Sequence, residues 1–173
     1  MIVTAFSAVF VLGAVGLAAQ DRYELTAPNG VSFSEIRGYE TWQAIAPSKV
    51  KDGIKVILGN PQMIKAYQGG IPRNGKPFPD GAKVVKIEWS AKPHPADHGA
   101  LVPSTLRSVA FIIKDSKRFP ETSGWGYAQF LYDPKAESFK PFGEDASFGK
   151  TVCFACHTKV AATDYIFTAY QPR

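Results

Sequence analysis

The chain has 173 residues, 45% of them hydrophobic and 20% charged, and a formal net charge of +5. Its 20 Lys and Arg residues are spread along the sequence from Arg22 onward. A nucleic-acid site needs basic side chains gathered into a stripe, so that class of partner is excluded. The surplus reads as solubility and as a docking field for an acidic protein partner.

Residues 1–20 are apolar, carry no charged side chain and end in Leu17-Ala18-Ala19-Gln20 before Asp21-Arg22. This predicts a secretory signal peptide and export to the periplasm. No Lys or Arg precedes the apolar run, so an uncleaved anchor is the alternative. Taking 20 from 173 leaves 153 residues, 21–173, the size of one domain with a core that needs no disulfide.

In residues 34–45, Ile36, Tyr39, Trp42 and Ile45 recur every third position, which predicts a helix with Ser34 as N-cap, ended by Pro47. Residues 54–58 are β-branched and strand-like, stopped by Gly59-Asn60-Pro61. Residues 62–67 form a short helix with Pro61 in its first turn. Residues 71–81, rich in Pro and Gly, form a loop. Strands are expected over 82–89, 106–114 and 125–132, joined by loops and therefore antiparallel. His94 and His98 fall in a Pro-rich exposed loop, and 134–150 is irregular. One or two helical turns over 155–163 and a last strand over 164–168 complete an α+β, β-rich single domain.

The most informative residues are Cys153-Phe154-Ala155-Cys156-His157. Cys-x-x-Cys-His is the attachment signature of c-type haem: each thiol adds to one vinyl group, and the adjacent imidazole falls beneath the iron. Cys153, Cys156 and His157 are thus the cofactor residues, and His157 is the metal ligand. A dithiol redox motif competes, but such motifs sit early in a domain beside a βαβ unit. A zinc site would have to recruit His94 and His98. A structural disulfide would close a very short loop and leave His157 without a role. Met63 is the only methionine besides Met1. Packing is its default role, and an iron ligand the alternative.

The chain resembles the cytochrome P-460 family, whose relatives include the cytochromes c′-beta. The resemblance rests on Phe78-Pro79-Asp80-Gly81 followed by a strand with Val85-Lys86, on Lys114-Asp115-Ser116-Lys117-Arg118-Phe119, on Trp125, and on the haem motif followed by Thr163-Asp164-Tyr165-Ile166-Phe167-Thr168. It spans about residues 39–172. It implies a β-rich homodimer with one five-coordinate haem c per chain and an open distal face. In hydroxylamine-oxidising members a lysine makes an extra covalent link to the macrocycle, and Lys86 is the matching position. Strand alternation puts Lys86 on one face with Ala82, Val84 and Glu88, and Lys83 on the other with Val85, Ile87 and Trp89. The competing reading of Lys86 is a solvated lysine paired with Glu88.

One departure stands out. The family's distal arginine corresponds here to Lys55, which keeps the charge and loses the planar fork. Glu144 and Asp145, just before the haem motif, are the candidate proton acceptors, with loop solvation as the alternative. Phe78 is expected to line a distal pocket for small uncharged ligands. The resemblance implies oxidation of hydroxylamine or related nitrogen oxides, with electrons passed to a soluble redox protein. Binding of nitric oxide or carbon monoxide without turnover, and simple electron carriage through a hidden sixth ligand, are the alternatives.

Overall fold

Alternating apolar residues in the β-branched runs build the frame. The computed structural model describes residues 20–172. It contains β1 (Gln43–Val50), β2 (Gly53–Gly59), the helix α1 (Pro61–Gln68), β3 (Lys83–Pro93), β4 (Leu101–Lys114), β5 (Trp125–Asp133) and β6 (Ser138–Pro141). The six strands form one antiparallel sheet whose spatial order is the order of the chain. The domain is therefore β-rich α+β. No helix among the described residues is long and apolar enough to cross a membrane.

Both faces of the sheet are covered. On one face Val85, Val109, Phe111 and Phe130 pack against Phe33 and Ile36 from the segment before β1. Phe33 is the hub, meeting Phe130, Phe139, Tyr23, Phe111 and Tyr39 at ring separations of 4.9, 5.4, 5.8, 6.1 and 6.2 Å. Such ring pairs add about 0.5–1.5 kcal/mol each beyond area burial. On the other face Val84, Ile112 and Tyr127 pack against α1 through Met63, Ile64 and Tyr67, with Phe78 and Ile166 closing the layer. Asn60 caps α1 by accepting from Met63 N–H at 2.9 Å, and Pro61 occupies the first turn.

Three expectations are corrected. Residues 34–45 are not one helix. Phe33–Ile36 and Tyr39–Thr41 are separate 3-10 turns, and β1 follows, running through Ile45 and Pro47. Gly38 at φ 81° separates the turns, and the N-cap is Ser32, in a reciprocal box with Glu35. Pro47 is tolerated because β1 is an edge strand. Within the irregular stretch 134–150, β6 adds a short sixth strand. Residues 164–168 are not a strand, since Asp164 and Tyr165 lie at φ 49° and 65° and turn the chain back under the sheet.

The apolar leader expected over residues 1–20 lies outside the described residues except for Gln20. That side chain pairs with Phe139, donating to its carbonyl at 2.9 Å and accepting from its N–H at 2.7 Å.

Candidate haem-binding site

The segment after β6 carries the chemistry. Gly149–Phe154 forms a π-helical turn, Ala155–His157 an α-helical turn (α2), and Thr158–Thr163 a 3-10 turn. A π-turn widens the helix and is frequent at functional sites. Gly149 opens it and lets Asn29 approach, because a Cβ there would meet Asn29 Nδ2 at 2.7 Å. Asn29 is in turn fixed to β5, donating to the Tyr127 carbonyl at 2.8 Å.

Between this segment and the second face of the sheet lies a cleft of about 310 Å³. Val84, Lys86, Ala110, Ile112 and Tyr127 form its floor, and Cys153, Cys156, His157, Ile166 and Phe167 face them. Ala110 sits opposite Lys86 in register and leaves room at the centre. Cys153 and Cys156 are both free thiols. Burial pushes the Cys153 thiol up, with Lys86 pulling the other way.

His157 is held from three sides. Its ring packs edge-on to Phe167 at 4.9 Å and Tyr127 at 5.0 Å. Its Nδ1 is 2.6 Å from the Tyr165 carbonyl. A carbonyl only accepts, so Nδ1 carries the proton and Nε2 is left with a lone pair. Burial lowers its pKa, the Tyr165 bond opposes this and Lys86 adds to it, so the net shift favours the neutral imidazole that a metal ligand needs.

Tyr165 is positioned by the motif strings themselves. Lys114 Nζ lies 3.0 Å from each carboxylate oxygen of Asp164 and 3.0 Å from the Ser123 carbonyl. Asp164 also accepts from Phe78 N–H at 2.8 Å. Asp80 accepts from Ser116 N–H at 2.9 Å and from its hydroxyl at 2.6 Å. Two consecutive left-handed non-glycine residues, Asp164 and Tyr165, are disfavoured by about 1–2 kcal/mol each. The Lys114 contact fixes the side chain of the first of them, Asp164, in place.

The sequence-predicted residues divide into two groups. Lys86, Cys153, Cys156 and His157 meet in the cleft. The alternation read from β3 is the one the sheet adopts, with Val84 and Lys86 on the cleft side and Val85 on the other. Burial lowers the Lys86 pKa, Lys55 lowers it further, and Glu88 opposes both. The rest do not line the cleft. Lys55 pairs with Glu88 across β2 and β3 at 3.5 Å. Phe78 is buried between Tyr67 and Trp125, at 5.0 and 6.1 Å, beneath the cleft and not on its wall. Glu144 and Asp145 are exposed, and Asp145 caps Ser147 N–H at 2.7 Å. Met63 is fully buried under α1. His94 stays in its hairpin, accepting from Ala96 and Asp97 N–H at 3.2 and 3.1 Å. Among the described residues no three His, Cys, Asp or Glu side chains gather as a metal cluster. Tyr127 was missed by sequence reading, although its place two residues after Trp125 in β5 was a signal.

The donor set suits haem: two thiols, one imidazole with a free Nε2, and apolar walls. The buried Tyr127 hydroxyl has no hydrogen-bond partner among the described residues, and such a group calls for a polar atom on whatever fills the cleft. The family model for cytochrome P460 matches residues 36–168. The chain belongs to the cytochrome P460 family. It is a c-type haem cytochrome, and the match takes in β1 through β6, Lys86 and the whole Cys-x-x-Cys-His segment. No curated protein matches the chain.

Proposed function

We propose that this cytochrome P460 member is exported to the periplasm, holds one haem covalently through Cys153 and Cys156 with His157 as axial ligand, and oxidises hydroxylamine or a related small nitrogen oxide. Electrons pass to a soluble redox protein, and the working unit is a homodimer. When bound, the haem supplies a redox metal with one face open to a small nitrogen ligand. The observation that carries the reading is Lys86, a half-buried amine on the floor of the cleft that holds the haem motif. Burial favours the neutral amine. A bond from it to a carbon of the macrocycle would replace an N–H and a C–H, releasing two protons and two electrons to an external two-electron oxidant of the peroxide class.

The chain's own groups divide the remaining work. His157, its Nδ1 proton committed to Tyr165, presents Nε2 in a fixed direction. Val84, Ile112 and Ile166 give the cleft apolar walls. Gln129 and Thr168 add polar groups to its wall.

One observation favours a second reading, the binding of nitric oxide or carbon monoxide without turnover. None of the described residues lining the cleft is Asp or Glu, and a general base must reach the proton it removes. Glu144 and Asp145 would have to approach from the exposed loop before the π-turn.

Peptide mass mapping of the haem-loaded protein separates the two. A fragment containing Lys86 that stays bound to the haem peptide of Cys153 and Cys156, together with hydroxylamine turnover, is the expected result. Free Lys86, no turnover and reversible nitric oxide binding would establish the second reading.

A further inference from the structure

We propose that Lys114 and Asp164 are positioning residues for the axial ligand, and that their buried ion pair tunes the iron through the Tyr165 carbonyl. The inference rests on the reading of His157 as that ligand.

Both side chains are almost fully buried, at 7% and 10% relative exposure. The ammonium makes three contacts at 3.0 Å, two to Asp164 and one to the Ser123 carbonyl, and lies over the Trp125 ring at 4.8 Å. The carboxylate makes one further bond, to Phe78 N–H at 2.8 Å. One ion pair thus ties together the end of β4, the turn before β5, the loop before β3 and the segment after α2. A buried pair is weak grounds for stability, since desolvation offsets most of the Coulomb gain. Its use lies in where it holds the chain.

What it holds is the residue next to it. Asp164 at φ 49° and Tyr165 at φ 65° are both left-handed. That conformation directs the Tyr165 carbonyl at His157 Nδ1, 2.6 Å away. A second anchor, the Tyr165 hydroxyl to Ser123 Oγ at 2.9 Å, returns to the residue whose carbonyl accepts from Lys114. The bond to Nδ1–H pushes electron density onto the imidazole and makes Nε2 a stronger donor. Loosening Asp164 lengthens that bond, weakens the donor and favours the ferrous iron.

The test uses haem-loaded protein and two readouts besides activity: the iron–histidine stretching frequency of the ferrous form by resonance Raman, and the haem midpoint potential. Asp164→Asn and Lys114→Met are expected to lower the frequency and raise the potential, with Lys114→Arg restoring both towards wild type. Asparagine keeps a preference for left-handed backbone and an acceptor for Phe78 N–H, so Asp164→Asn carries the test if Lys114→Met fails to fold. Variants that lose thermal stability while frequency and potential stay at wild-type values would overturn the proposal and leave the pair a plain structural contact. A wild-type protein without an iron–histidine band, or one whose band survives His157→Gly, would overturn the ligand assignment itself, an outcome distinguishable from the first.

Discussion

Met63 and Lys86 lie on the same side of the sheet and meet different fates. Met63 is wedged under α1 with no exposed surface, whereas Lys86 opens into the cleft. Only Lys86 lines the cleft that the haem would occupy. Met63→Ala should therefore lower stability by about 2–5 kcal/mol in a denaturant titration and leave the visible haem spectrum unchanged. A shifted spectrum would make the sulfur an iron ligand and the protein an electron carrier. At this scale the sequence was informative wherever chemistry is local. Five consecutive letters define the attachment motif, and a period of two assigns Lys86 to its face. The partners of His157 were not legible, because a backbone carbonyl leaves no mark in a residue's identity.

The strands show what periodicity conveys and where it fails. β2 to β5 were readable because Ile, Val, Phe and Tyr alternate between two covered faces. The segment before β1 misled because Ile36, Tyr39, Trp42 and Ile45 keep a spacing of three through two 3-10 turns and a strand. β6 is four residues long, too short to stand out from its turns. The pairing of Lys114 with Asp164 crosses fifty positions of sequence, and only the folded sheet brings them together. Tight approach between elements has a testable signature at Gly126 in β5, where a Cβ would lie 2.4 Å from two ring carbons of Phe119. Gly126→Ala should destabilise the domain by about 1–3 kcal/mol through overpacking, measured by thermal or chemical melting. A neutral result would mean that the Phe119 ring moves aside at little cost.

Among the described residues two cores are separated by one sheet, and the α1 core supplies more of the cleft's lining (Ile57, Val84, Ile112, Tyr127 and Ile166) than the Phe33 core (Phe111 and Ala128). The Phe33 core packs on the far face of the sheet, whereas the α1 core ends against the cleft of about 310 Å³. Removing haem should therefore soften the molecule unevenly. In a Cys153→Ala/Cys156→Ala variant, hydrogen exchange should quicken for amides of α1 and of residues 158–168, while β3 to β5 stay protected. Uniform loss of protection would show that both cores depend on the cofactor.

The agreement between spatial and sequential strand order also bears on the making of the protein. Each strand finds its partner in the stretch that has just preceded it. A chain emerging N-terminus first would thus have the floor of the cleft laid down before Cys153 appears. Only the last stretch waits. On the proposed reading, the machinery that joins haem to the two thiols meets them on a loose tail beside a finished sheet. The left-handed turn at Asp164 and Tyr165 then acts as the latch, closing once Lys114 takes hold.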